Sequence, residues 1–183
     1  MCLLIGPTGA GKTLLLKSLQ AGNYHAQKGW APADIPATVP TTGTNLVTVT
    51  VNKSRKKEVT VREVGGAMGP IWKNYYSDAS AILYVIDVSN RCQVAAACIQ
   101  LLTMLTHPQT ANTPVLLLLN KQDVSCVMRQ SEVEWLLRLQ DTLGTASQTV
   151  SVAEVSAKTG QGLDVVARWI HDNHKESPVQ SHS

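Results

Sequence analysis

The sequence predicts an α/β protein with a mostly parallel sheet, one antiparallel hairpin at the sheet edge and helices on both faces. Apolar runs typical of strands buried on both sides alternate with segments of helical spacing. Two segments rich in alternating β-branched residues flank a short polar turn, which is typical of a hairpin. The 183 residues suffice for one domain with a full core.

The predicted elements follow one another without an internal repeat. Leucines at helical spacing come directly after a short apolar strand, and a long loop over 23–42 with glycine and prolines precedes the hairpin. Strands are predicted at 2–5, 46–51, 58–64, 81–88, 115–120 and 150–155, and helices at 12–19, 94–105, 132–139 and 163–171. We predict one domain over 1–174 and a disordered polar tail over 175–183.

Composition excludes several classes of protein. Sixteen basic residues against 13 acidic ones give a charge of +3, too small to indicate nucleic-acid binding, and the lack of Phe predicts an aliphatic core. No apolar run reaches the ~20 residues that span a bilayer, and neither a signal peptide nor a lipidation motif is evident. We therefore expect a cytoplasmic monomer without a stable membrane anchor, and we expect its four cysteines to be buried thiols.

The most informative motif begins at the first glycine after the first strand. It has the pattern GxxxxGK[ST] and comprises Gly6, Pro7, Thr8, Gly9, Ala10, Gly11, Lys12 and Thr13. Its glycines let backbone N–H groups surround phosphate oxygens, and the helix start adds its positive dipole end. The ammonium group of Lys12 is expected to reach the terminal phosphates and the hydroxyl of Thr13 to bind Mg²⁺. The motif predicts a nucleotide phosphate site.

Two further motifs follow later strands and indicate which base is bound. They comprise Asn120, Lys121, Gln122 and Asp123, and then Ser156, Ala157 and Lys158. The carboxylate of Asp123 can accept from the two N–H groups of guanine, whereas adenine lacks these donors and would leave the carboxylate unpaired. The second motif supplies a backbone N–H for the guanine oxygen. A guanine nucleotide is therefore predicted.

Taken together, these motifs resemble those of the small GTPases, and within them the ADP-ribosylation-factor-like branch. The segment 39–45 looks like the first switch, 62–66 like the second, and 72–76 like the helix that follows it. The resemblance covers about residues 2–172. It implies a P-loop NTPase fold of the small G-protein type and a molecular switch that binds GTP or GDP with Mg²⁺.

The resemblance also implies roles for individual switch residues. Thr41 and Glu63 would join Thr13 as the metal-binding residues, and Gly66 would offer its N–H to the γ-phosphate, so that Lys12 and Gly66 are the catalytic candidates. The other residues expected at the nucleotide are Val64 and Gly65 of the second switch and Ala67, which follows it.

Two residues depart from the family pattern. Glu63 stands where Asp is usual and is one methylene longer, which puts Mg²⁺ affinity in doubt. Ala67 stands where the family has a Gln that orients the attacking water, and its methyl group can neither donate to nor accept from water. We expect GTP binding with very slow or partner-dependent hydrolysis.

The implied partners are effectors bound through the switches and hairpin, an exchange factor and an activating protein. The family's aromatic effector triad is matched here by Thr44, Arg62 and Tyr75, so only one aromatic residue remains and typical Arf effectors should bind poorly. Trp30 lies in the long loop. It is either a partner anchor or, as we favour, a residue that packs the loop onto the domain.

Other features have structural and functional interpretations. A basic hairpin tip formed by Lys53, Arg55, Lys56 and Lys57 is either a solvated turn or a weak contact for anionic lipid. His171 and His174 have the spacing of a metal pair but lack a third ligand. Three tryptophans at helical positions are expected in the core: Trp72, Trp135 and Trp169.

Three functions remain open at this point. The first is a GTPase switch, the second a non-hydrolysing GTP-dependent binding module, and the third a P-loop ATPase or nucleotide kinase. The guanine motif and the lack of an arginine-rich lid segment argue against the third. Only five residues precede Gly6, from which we expect an isoform that lacks an N-terminal segment.

Overall fold

The computed structural model describes residues 1–22, 30–31, 34–52, 57–136, 138, 141, 144 and 146–174. The predicted tail over 175–183 lies outside these residues. The strands are β1 (Cys2–Ile5), β2 (Thr44–Asn52), β3 (Lys57–Val64), β4 (Ala81–Asp87), β5 (Val115–Asn120) and β6 (Val150–Glu154). The helices are α1 (Lys12–Gln20), α2 (Arg91–Leu105), α3 (Gln130–Leu136) and α4 (Leu163–Asn173), with 3₁₀ helices at Gly66–Tyr75 and Pro108–Thr110.

The strands form one six-stranded sheet in the order β2-β3-β1-β4-β5-β6. Strands β2 and β3 pair antiparallel, and the other neighbouring pairs are parallel. The predicted hairpin therefore lies at the sheet edge, which confirms the fold class. Because parallel strands point the same way, the chain segments after β1, β4, β5 and β6 leave the sheet at one edge, where ligands bind in this class.

Alternate residues of each central strand pack on opposite faces of the sheet. Leu4 of β1 faces a core that includes leucines of α1 and apolar residues of α4. Ile5, the next residue, faces a second core built with α2 and α3. This alternation follows the two-residue period of a strand and confirms helices on both faces. The cores are mostly aliphatic, with Trp72 and Tyr84 packed edge to face at 6.2 Å in the second.

Two predicted element boundaries shift for local reasons. Helix α2 begins at Arg91, three residues before its first predicted position, because the side chain of Asn90 accepts a hydrogen bond from the backbone N–H of Gln93 and caps the helix. The segment after the second switch is 3₁₀ and has a kink at Met68, with Pro70 inside it. Within the described ranges, no helix is long and apolar enough to cross a membrane.

Two expectations about burial were wrong. Trp135 is 78% exposed, because the inward position of α3 is Val133 and a residue two places further on lies about 200° around the helix. Only Cys2 of the four cysteines is buried, and burial raises the pKa of its thiol to about 12. By contrast, Trp72 is buried and Trp169 packs half-buried against the core, as expected.

Candidate functional site

The phosphate loop lies between β1 and α1 and depends on glycine at two close approaches. Gly6 has φ 145° and Gly11 has φ 92°, conformations that L side chains rarely adopt. A Cβ at Gly6 would collide with the carbonyl of Val85, and one at Gly11 would collide with the side-chain amide of Asn120. The loop is therefore pressed against β4 and against the predicted base-binding motif.

Lys12 begins α1, and its side chain folds back over the loop. It is 5% exposed, and its ammonium donates to the carbonyls of Gly6 and Pro7, both at 2.8 Å. Burial lowers the pKa of Lys12 to about 8, and the negative charge of Glu63 opposes that shift. The only strong cation of the loop is thus held inside the predicted phosphate site.

The three predicted metal-binding residues come together. The hydroxyls of Thr13 and Thr41 lie 3.2 Å apart, and both donate to Oε1 of Glu63. Glu63 is fully buried at the end of β3, and its Oε2 has no hydrogen-bond partner among the described residues. A buried carboxylate oxygen without a partner is costly, and hydroxyl and carboxylate oxygens are ligands that Mg²⁺ accepts, so these residues fit the metal.

A cavity of about 180 Å³ joins the phosphate loop to both switch segments. It is lined by Thr8, Gly9, Gly11, Lys12, Thr13, Leu14, Thr38, Val39, Pro40, Thr41, Glu63 and Gly66. The predicted phosphate, metal and switch residues therefore face a common space.

At its two glycines, the second switch approaches the first switch and the phosphate loop through backbone. The N–H of Gly65 donates to the carbonyl of Gly43 at 3.0 Å, and a Cβ on Gly65 would collide with the carbonyl of Thr41. A Cβ on Gly66 would collide with the backbone of Pro7 and Thr8. The following methyl group of Ala67 is exposed at the start of the 3₁₀ helix, whereas the predicted Val64 has its side chain in the core. Val64 can face a nucleotide only through its backbone.

Asn120 connects the phosphate loop to the second base motif. Its amide nitrogen donates to the carbonyl of Ala10 at 2.8 Å, and its Oδ1 accepts from the N–H of Ala157 at 3.1 Å. Gln122 is bound to its own strand end, donating from its side chain to Leu119 at 3.3 Å. Within this motif, Asn120 and Gln122 thus maintain loop shape.

The carboxylate of Asp123 is held in one orientation by the other motif. The Ser156 hydroxyl donates to Oδ1 at 2.6 Å, and the Lys158 ammonium lies 3.9 Å from Oδ2. The Asp123 side chain is 15% exposed, so it is largely shielded while still open to a ligand. This arrangement suits a carboxylate that accepts from the two N–H groups of guanine.

Two contacts at the site involve residues outside the predicted motifs. Asp87, at the end of β4, forms a 2.6 Å ion pair with Lys121, which has the positive φ of 72°. Gln93 of α2 donates to the carbonyl of Thr8 at 2.9 Å. Position at a strand end could have pointed to Asp87, but no sequence signal marks Gln93.

Trp30 packs the long loop against the base-binding motif, as favoured from the sequence. Its N–H donates to the carbonyl of Lys158 at 3.0 Å, and its indole N–H donates to the hydroxyl of Ser18 at 2.7 Å. Ser18 donates in turn to the carbonyl of Ala157 at 2.6 Å. Sequence reasoning missed Ser18.

The predicted effector surface has one aromatic side chain, that of Tyr75, with a cation beside it. The guanidinium of Arg62 lies 5.1 Å from the ring centre of Tyr75, and Thr44 is exposed at the start of β2. Of the basic hairpin tip, Lys53, Arg55 and Lys56 lie outside the described residues. Lys57 donates to the carbonyl of His171 at 3.2 Å.

The two histidines that have the spacing of a metal pair, His171 and His174, have different partners. Nδ1 of His171 contacts Asp172, and Nδ1 of His174 contacts Ser80, both at 2.9 Å. In the part of the chain that the structure describes, no group of three or more His, Cys, Asp or Glu side chains is placed to hold a metal.

A phosphate loop, a base-reading motif and two switch segments at one sheet edge define a nucleotide-binding protein of the small-GTPase class. The model of the ADP-ribosylation factor family matches residues 1–174. The chain therefore belongs to the ADP-ribosylation factor family and is a GTP-binding switch of the Arf-like type.

Individual relatives agree with this assignment. The chain is 43% identical over 175 residues to human ADP-ribosylation factor-like protein 16, covering 96% of this chain and 86% of that protein. It is 32% identical over 170 residues to ADP-ribosylation factor-like protein 1 of Drosophila melanogaster, covering 92% and 85% respectively. The fold is similar to that of the Trypanosoma brucei Arl6 BBS3 small GTPase, solved with the nucleotide analogue GppNp, with a TM-score of 0.75 at 20% identity, covering 94% of this chain and 95% of that one.

Proposed function

We propose that this chain binds GTP and, without a partner, hydrolyses it very slowly. The observation that carries the proposal is a contrast within one site. The residues predicted to bind phosphate and metal line one cavity, while Ala67 presents only a methyl group beside Gly66. The protein would remain loaded with GTP until an activating protein supplied the missing group.

The physical reason lies in how phosphoryl transfer is catalysed. The reaction depends on positioning the attacking water and on stabilising charge on the phosphate oxygens. Lys12 serves the second requirement, as does the backbone N–H that Gly66 would contribute. A methyl group cannot orient water, so the first requirement is unmet at Ala67.

Mg²⁺ belongs to this proposal. Thr13, Thr41 and Glu63 would hold it, and Oε2 of Glu63, which has no hydrogen-bond partner among the described residues, supports that role. The bound cation would neutralise charge on the nucleotide phosphates. The longer Glu keeps the negative charge that Asp supplies in relatives, so binding is retained in this proposal.

A second candidate is a GTP-dependent binding module with no hydrolysis at all. The same two departures, Glu63 and Ala67, favour it. Both candidates bind guanine nucleotide, and they differ in whether GDP accumulates. Chromatography of the nucleotide released from purified protein, immediately and after a day at 25 °C, tests the proposal. A slow increase in GDP supports the switch, constant GTP supports the binding module, and adenine nucleotide contradicts both.

Small GTPases interact with effectors, exchange factors and activating proteins, and we propose all three for this chain. The effector surface would include Thr44, Arg62 and Tyr75. The basic hairpin tip would make a weak contact with anionic lipid, and a cytoplasmic location fits this role. Sedimentation with vesicles containing phosphatidylserine tests the lipid contact, and binding equal to that of neutral vesicles would contradict it.

A further inference from the structure

A hydrogen-bonded relay connects the long loop to the base-binding motif. An indole N–H can only donate, so the hydroxyl oxygen of Ser18 accepts from Trp30. The single hydroxyl proton of Ser18 is then free to bond the carbonyl of Ala157 at 2.6 Å. The donor and acceptor of each hydrogen bond in the relay are therefore fixed: Trp30 donates to Ser18, and Ser18 donates to Ala157.

This relay holds the backbone on both sides of the motif. The carbonyl of Ala157 accepts from Ser18, and the backbone N–H of Ala157 donates to the side chain of Asn120. The next carbonyl, that of Lys158, accepts from the backbone N–H of Trp30. Two consecutive carbonyls of the motif are thus bound by one helix residue and one loop residue.

The relay is buried where it meets the motif. Ser18 is fully buried, and Ala157 is 3% exposed. A hydroxyl or carbonyl without its partner in such surroundings would carry the full cost of desolvation. Loss of either side chain should therefore loosen the motif instead of leaving its position unchanged.

The motif that the relay holds also orients the predicted guanine reader. Ser156, next to Ala157, donates to the carboxylate of Asp123 at 2.6 Å. We propose that Trp30 and Ser18 are positioning residues that set how long guanine nucleotide stays bound and how well guanine is distinguished. This inference rests on the proposed guanine-nucleotide binding and assigns its retention to residues outside the recognised motifs.

Nucleotide release tests the relay directly. Wild type, Trp30→Phe, Ser18→Ala and the double variant are loaded with mant-GDP and chased with excess GDP. Trp30→Phe removes one hydrogen bond of the relay and should release nucleotide about fivefold faster, and Ser18→Ala, which removes two, should release it at least as fast. The double variant should match Ser18→Ala, because neither hydrogen bond of the relay can form without the Ser18 hydroxyl. Trp169→Phe, a half-buried tryptophan on α4, is the matched control and should release nucleotide at the wild-type rate.

Discrimination between guanine and hypoxanthine provides a second measurement. Inosine nucleotide lacks the 2-amino group that Asp123 would bind, so wild type should release mant-IDP faster than mant-GDP. This ratio should fall towards one in both single variants. The inference would be overturned if the single variants released nucleotide at the wild-type rate or kept the wild-type ratio of mant-IDP to mant-GDP release. It would also be overturned if the double variant multiplied the single effects, or if Trp169→Phe had an effect equal to theirs. Failure of wild type to retain mant-GDP would instead overturn the proposed function itself.

Discussion

The hydroxyl of Thr13, at the start of α1, donates a hydrogen bond to the carboxylate of Glu63 at the end of β3. This contact joins the phosphate loop to the second switch across 50 residues of sequence. Thr41 of the first switch donates to the same carboxylate oxygen at 3.2 Å. One buried carboxylate of the second switch thus contacts both the phosphate loop and the first switch.

The first prediction concerns this carboxylate and Mg²⁺. Glu63→Gln removes the negative charge, so the Mg²⁺ concentration that half-maximally slows mant-GDP release should increase roughly 10- to 100-fold. Glu58→Gln, an exposed position on the same strand, is the control and should leave the Mg²⁺ dependence unchanged. Identical Mg²⁺ curves for wild type and Glu63→Gln would show that Glu63 has no part in metal binding.

The second prediction concerns pH. Burial lowers the pKa of Lys12 from its usual 10.5 to about 8 in the folded protein. Between these values the unfolded chain holds a proton that the folded one has lost, so stability should rise with pH across this window. Relative to Lys12→Met, which cannot titrate, the free energy of unfolding of nucleotide-free protein should increase by at most about 3 kcal/mol. Denaturant titrations from pH 7 to 10.5 measure this difference. If the free energy of unfolding had the same pH dependence in wild type and Lys12→Met, the prediction would be contradicted.

The third prediction concerns the base. Asp123→Asn replaces an acceptor-only carboxylate with an amide that can donate to the 2-oxo group of xanthine. GTP affinity should fall about 100-fold and XTP affinity should rise. Asp172→Asn, at an exposed carboxylate on α4, should change neither value. Calorimetric titration measures both affinities, and an Asp123→Asn variant that still prefers GTP would refute the assignment.

These motifs were accessible from the sequence because each is a contiguous segment at the end of a strand. The order of strands and helices places Lys12, Asp123 and Glu63 at one edge of the sheet. The Trp30–Ser18 relay and the Gln93–Thr8 contact were not accessible, because they join segments whose approach depends on packing. The exposure of Trp135 was missed because helical spacing alone does not show which face of a short helix meets the core.

The fourth prediction concerns effector choice. Aromatic side chains provide much of the binding energy at protein interfaces. Here Tyr75 is the one aromatic residue at the three effector positions, and the guanidinium of Arg62 lies over its ring. A typical Arf effector should bind GTP-loaded wild type weakly, and Thr44→Phe with Arg62→Trp should increase its affinity at least about tenfold. Thr48→Phe, exposed four residues along the same strand, is the control. Submicromolar binding by wild type in an equilibrium titration would contradict this account.

The most direct test of slow hydrolysis is a single-turnover measurement of phosphate release from GTP-loaded protein. Ala67→Gln restores an amide that can orient water, and its rate should exceed that of wild type about 100-fold. Ala67→Leu adds comparable bulk without hydrogen-bonding groups and should remain as slow as wild type. Equal, fast rates for wild type and Ala67→Gln would contradict the central claim that Ala67 limits hydrolysis.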